Sequence, residues 1–151
     1  MKKINLKNPL SKDPGYLLWQ TSLDWQKKAK VKLDKFNLTL TQYYILYAIR
    51  KIKTEVKQVD IANFLNIDRM MTSKIISSLK EKAIVSVINE RYVSLNSIGT
   101  RLLKEAEQEY LISLNDYFGM SSAAKSKHIE YYSNLNMRNV ESDVNNSVGI
   151  Y

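Results

Sequence analysis

The sequence predicts a mainly α chain that carries one small β-hairpin. Three observations lead there. Gly (4) and Pro (2) are scarce in 151 residues, which leaves little punctuation for a many-stranded sheet. Long stretches repeat apolar residues at helical spacing. Only the segment 84–95 offers two short β-branched runs joined by a tight polar turn. The length suits one domain, 1–151, or one domain with an appendage.

In order, residues 1–12 are polar and lysine-rich, an irregular arm. Asp13-Pro14 reads as an N-cap followed by Pro at the first helical position. Leu18, Ser22, Trp25, Ala29, Leu33 and Phe36 then recur at helical spacing, with Tyr16, Trp19 and Leu23 on an adjoining stripe. Two apolar stripes on one helix predict contacts on two sides, one within the subunit and one with a partner. Thr39 and Gln42 have capping-box spacing, and Leu38 and Tyr43 fit a hydrophobic staple. The helix they start runs through Ile45, Leu46, Ala48, Ile49 and Ile52 and ends in the polar stretch 51–57.

A short helix through Val59, Ile61, Ala62 and Leu65 follows. Asn66-Ile67-Asp68 is a turn, and Asp68 is a good N-cap for a helix over 69–82. Short helix, turn and helix make the helix-turn-helix pattern. Met71, Ile75, Ile76 and Leu79 are the expected inward stripe of the second helix. Arg69, Met70, Ser73, Lys74 and Ser77 fall on its other face. Strands at 84–88 and 92–95, joined by the three-residue loop Asn89-Glu90-Arg91, form a wing behind it. Asn96 caps a helix over 97–118, which Gly119 stops. Ser121 or Ser122 starts a last helix through Ile129, Tyr132 and Leu135, and the Asn/Ser-rich tail from Glu141 is expected to fray. The layout is a winged helix-turn-helix lobe at 39–95 held between terminal helical segments, 13–36 and 97–140.

Charge narrows the function. A net charge of +8 favours a polyanionic partner. With no cysteine and one histidine, His128, there is no thiol chemistry, disulfide, Cys-based zinc site or His cluster. The N-terminus lacks the apolar run of a signal peptide, and no stretch approaches the ~20 apolar residues of a membrane span. These features predict a cytoplasmic protein with no cofactor and no membrane partner. An enzyme is disfavoured: there is no Ser-His-Asp arrangement, no Gly-rich phosphate loop and no metal-ligand spacing.

Four segments together resemble the MarR family of bacterial transcription regulators. Leu-Thr-Leu-Thr-Gln at 38–42 resembles the start of the family's second helix. Ile-Ala-Asn-Phe-Leu-Asn-Ile-Asp at 61–68 resembles its helix-turn-helix entry. The stretch 72–82 resembles its recognition helix, and Val-Ser-Leu-Asn-Ser-Ile-Gly at 93–99 its last strand and the following cap. The resemblance covers roughly 14–140. It implies a homodimer with interlocked terminal helices and two lobes facing successive major grooves of double-stranded DNA, about 10 bp apart. Three departures stand out. Ala83 occupies a position that is usually Gly. Lys57 stands near a usual Ser or Thr cap. The wing is clipped, with Arg91 matching the arginine of an Asp-x-Arg pattern while Asn89 replaces its aspartate.

The implied regulator is a repressor on a short pseudo-palindromic operator. Arg69 can reach a phosphate or a guanine edge, and Lys74 a phosphate or base. Thr72, Ser73 and Ser77 are small hydroxyl residues that allow close groove approach. Met70 can touch a thymine methyl or serve the core, and Arg91 is the wing contact. Against each stands the plain reading of a solvated helix surface. Trp19, Trp25, Tyr43, Tyr44 and Tyr47 are candidates for a small aromatic effector pocket, with ordinary dimer and lobe packing as the plainer reading. The alternative function, motivated by the clipped wing, is a winged-helix protein-interaction module that has lost DNA reading.

Overall fold

A computed structural model describes residues 7–52, 55–119 and 122–148. Residues 1–6 of the arm, Lys53 and Thr54 of the polar stretch, Ser121 as the alternative helix start and tail residues 149–151 lie outside the described residues. The chain divides into two compact units, residues 1–114 and 115–151.

In the first unit α1 spans Pro14–Leu33, and the Asp13 carboxylate accepts from the Tyr16 amide at 2.8 Å. The arm is not wholly irregular: Pro9–Lys12 forms one tight turn capped by Asn8. Burial divides the predicted stripe. Ala29 and Leu33 are buried and Trp25 and Phe36 partly so, while Leu18 and Ser22 at the other end are exposed with Trp19 and Leu23. A short turn, Asp34–Phe36, leads to Asn37 in the left-handed region (φ 52).

Helix α2, Leu40–Lys51, starts with the predicted capping box. The Gln42 amide donates to Thr39 Oγ1 at 3.1 Å, and Thr39 N–H donates to Gln42 Oε1 at 3.0 Å. Two otherwise orphaned donors are thereby satisfied. Leu38 and Tyr43 are buried in one core with Ile45, Leu46, Ala48 and Ile49.

Helix α3 is Gln58–Leu65. Lys57 offers no capping hydroxyl, but the Asp60 carboxylate reaches back to the Lys57 amide at 2.9 Å. Asn66, left-handed at φ 53, turns the chain into α4, Arg69–Glu81. Strands β1, Val85–Ile88, and β2, Tyr92–Leu95, pair antiparallel from Val85↔Leu95 to Ile88↔Tyr92. Between them Asn89 and Glu90 both have positive φ (52 and 54), and the Arg91 amide donates to the Ile88 carbonyl at 3.1 Å. This mirror-image turn matches the twist of the two strands. The outer edge of β2 is also partnered, by the Val93 amide on the Val56 carbonyl at 2.8 Å and a Lys57↔Tyr92 bridge. The sequence pattern did not announce that third segment, because a single bridge has no periodicity.

Helix α5 is Ser97–Phe118. Arg50 meets Glu107 at 2.7 Å, and Lys35 meets Glu109 at 3.1 Å with Lys32 at 3.8 Å, so α5 is tied to α2 and to the end of α1. The hydrogen bond between Arg50 and Glu107 raises the pKa of the guanidinium and lowers that of the carboxyl.

The second unit holds the end of α5 and α6, Ser122–Val148. Gly119, at φ 50, closes α5. Phe118, His128 and Tyr132 form a chain of ring contacts at 6.1 and 6.0 Å. The helix continues past Glu141 to Val148, where the polar composition predicted fraying.

Candidate nucleic-acid interface

Helix α4 is the element that the rest of the lobe holds in place. At its start, the Asp68 carboxylate accepts from the Met71 amide at 2.8 Å. Near its end, Gln42 Nε2 donates to Ser78 Oγ at 3.3 Å, and Lys82 Nζ donates to the Asn37 carbonyl at 2.6 Å and to Gln42 Oε1 at 3.2 Å. The inward face is Thr72, Ile76 and Leu79, with Ile75 partly buried beside them.

That face corrects two expectations. Thr72 was a candidate DNA contact, but it is 0% exposed, and its hydroxyl donates to the Asp68 carbonyl at 2.8 Å. Met71, placed on the inward stripe, is exposed instead. Adjacent helix positions lie about 100° apart, so the two errors are one rotation. The methyl of Thr72 fills the core while its hydroxyl is satisfied by the turn before it.

The remaining candidates face outward. Met70 is 71% exposed, Arg69, Lys74 and Ser77 are exposed, and Ser73 is half-buried. Neither Arg69 nor Lys74 is paired with a carboxylate among the described residues, so both charges stay available to a polyanion. Glu81 closes the same stripe at the far end and was not singled out from the sequence. Arg91 is exposed at the base of the loop with its guanidinium 5.7 Å from the centre of the Tyr92 ring. The ring supplies a cation–π support where the resemblance implied an aspartate. Glu90 beside it places a negative charge at the tip of the wing.

The five candidate ligand residues do not form one wall. Trp19 is 56% exposed and has Tyr16 as a ring neighbour at 6.0 Å. Tyr43 is 2% exposed and stacks on Tyr110 at 4.5 Å, which corrects its reading as a pocket residue: its face is already covered. Trp25 packs edge-on against Tyr110 at 5.9 Å, and Tyr44 shares a 2.9 Å hydrogen bond with the Tyr110 hydroxyl. Tyr47 lies under Arg50 and Lys51, at 5.3 and 5.5 Å. Tyr110 is the organising ring, and its position some sixty residues downstream hid that from local patterning. Two clefts are lined by other residues. One of about 460 Å³ lies between Ile49–Ile52 and the wing. One of about 540 Å³ is lined by Leu23, Lys27, Lys30, Leu38, Leu40 and Lys82 among others.

No family model matches the sequence. An uncharacterized HTH-type transcriptional regulator of Bacillus subtilis, YdcH, is 36% identical over 76 residues, 48% of this chain and 51% of that protein. The match thus spans about half the length of the curated relative. The MepR–DNA complex of S. aureus aligns with a TM-score of 0.75 at 18% identity, covering 83% of this chain and 96% of that one. CouR from Rhodococcus jostii RHA1, bound to p-coumaroyl-CoA, aligns at 0.74 and 18%, covering 85% and 94%. No described helix is long and apolar enough to cross a membrane. A MarR-family transcriptional regulator from Rhodococcus sp. RHA1 aligns with a TM-score of 0.73 at 18% identity, covering 85% of this chain and 95% of that one, so this chain has the winged helix-turn-helix fold seen in that family.

Proposed function

We propose that this chain is a homodimeric, sequence-specific DNA-binding transcription regulator that represses by occupying a short operator. The observation that carries the reading is the outer face of α4. Arg69, Met70, Ser73, Lys74 and Ser77 lie exposed or half-buried along a helix capped at its start by Asp68 and tied near its end to Asn37 and Gln42. Unpaired basic groups on an exposed helix face suit a major groove: phosphate contacts set position and base contacts set sequence. The net charge of +8 and a DNA-bound structure among those of the same fold agree with a nucleic-acid partner rather than a protein-interaction module. Exposed Leu18, Trp19 and Leu23 on α1 and Leu111 and Ile112 on α5 support the homodimer. The similar proteins include transcriptional regulators, in keeping with a non-enzymatic role.

The test is fluorescence-anisotropy titration of labelled duplexes at several salt concentrations. Affinity should fall steeply with salt as counterions are released. Arg69→Ala and Lys74→Ala should weaken binding while gel filtration still gives a dimer. Equal binding by both variants would remove α4 as the reading face, and no binding by the parent chain at low salt would overturn the reading.

A small aromatic acid is the effector that this reading favours. Rv2887 of Mycobacterium tuberculosis is complexed with salicylic acid, and the DNA binding of BpsR from Bordetella bronchiseptica is regulated by 6-hydroxynicotinic acid. The 540 Å³ cleft combines apolar Leu23, Leu38 and Leu40 with Lys27 and Lys82, beside a Lys30–Asp34 ion pair at 2.7 Å, a lining suited to a ring that bears a carboxylate. Lys82 also anchors α4, so an acid that engaged its ammonium would compete with that anchor.

A further inference from the structure

Between α4 and β1 the chain makes a turn that its sequence makes costly. Ala83 is left-handed at φ 57, a conformation that a Cβ disfavours. Around it the backbone closes tightly: the Lys82, Ala83 and Ile84 amides donate to the Ser78, Lys80 and Leu79 carbonyls at 3.1, 3.0 and 3.1 Å. The Ala83 carbonyl then meets one side chain. Asn96 Nδ2 donates to it at 2.6 Å, while Asn96 Oδ1 accepts from the Gly99 amide at 2.8 Å. The Asn96 amide N–H also lies 3.4 Å from the Ile84 carbonyl. A Cβ at Gly99 would run into that same carbonyl, so the start of α5 sits directly on the root of the wing.

We propose that Asn96 is a positioning residue for DNA reading. Its two-ended amide clamps the end of the recognition helix to the first turn of α5 and holds Ala83 in its left-handed turn. This rests on the reading of α4 as the DNA-contacting helix. A hydroxyl at position 96 could cap α5 but has no second arm for Ala83. The clamp thus joins the end of α4 and the wing root to the first turn of α5 through one side chain.

Asn96→Thr and Asn96→Asp separate the two arms. Both keep an oxygen for the Gly99 amide and lose the donor to Ala83. Circular dichroism should show both folded. Hydrogen exchange at the Ala83 and Ile84 amides should quicken in both relative to the parent. On a 30-bp duplex selected from a random pool by the parent chain, affinity should drop about tenfold, the scale of one unpaired polar group. Ala83→Gly removes the cost of the left-handed turn. Combined with Asn96→Thr it should restore most of the affinity, while alone it should change binding little. Unchanged exchange in both variants, or unchanged affinity in Asn96→Thr, overturns the clamp. Failure of the parent to bind any duplex at low salt instead sinks the DNA reading, and the exchange result still decides whether Asn96 holds the joint.

Discussion

The rings of Tyr43 and Tyr110 stack at 4.5 Å, with their planes 25° apart, and join α2 to α5 through the middle of the core. Both phenols titrate above the ordinary tyrosine value of 10.0. Burial is the main cause for each; the Glu107 charge adds to it for Tyr43, and the hydrogen bond with Tyr44 for Tyr110. A raised folded-state pKa means that the unfolded chain loses these protons first. Stability should therefore be unaffected below about pH 10 and fall progressively above it. In a spectrophotometric titration of the ten tyrosines, at least two should ionise only with the unfolding transition. Simple titration of all ten with a pKa near 10 would contradict this packing.

Removing one oxygen tests the same cluster more gently. Tyr110→Phe keeps the stacking and deletes the 2.9 Å partner of Tyr44. The expected cost is about 1 kcal/mol in urea unfolding, the usual net value of one hydrogen bond. Tyr43→Ala, by contrast, empties a buried ring site and should cost about 3–5 kcal/mol.

The capping box predicts a third outcome. Thr39→Ala leaves the Gln42 amide without its acceptor at the start of α2, for a loss of about 1 kcal/mol. Thr39→Ser should retain nearly all of it, which distinguishes the hydroxyl from the methyl.

Backbone conformation at the wing root gives opposite signs at two neighbouring sites. Ala83→Gly relieves a left-handed residue and should stabilise by about 1 kcal/mol. Gly99→Ala forces a methyl against the Ile84 carbonyl and should destabilise by about 3 kcal/mol, the upper end for overpacking. Thermal melts of the two variants should move in opposite directions.

At the proposed interface, each lost phosphate contact should flatten the dependence of log affinity on log salt by about one unit. Lys74→Gln is the clean case, because Lys74 has no carboxylate partner among the described residues whose loss would confuse the result. Glu90→Lys at the wing tip should strengthen binding to all sequences alike if the wing approaches the backbone. Unaltered salt slopes in both variants would place the lobe's contacts elsewhere.

Sequence by itself determined the order of elements, their caps and the hairpin, because these depend on residues within a turn of one another. Asp13, Thr39, Asp68 and Asn96 each bond the amide three positions on, in the first turn of the helix they start, and that geometry is encoded locally. It also located the outward basic residues of α4 to within one helical step. Tertiary packing decided that step: Thr72 turned inward and Met71 outward, since adjacent positions both bordered the apolar stripe and only the neighbouring helices could choose between them. Packing likewise chose Tyr110 as the partner of Tyr43, added the 56–57 segment to the edge of β2, and aimed both ends of the Asn96 amide across the joint between α4 and α5. Each of those contacts joins residues distant in the chain, where no periodicity or local cap can register them.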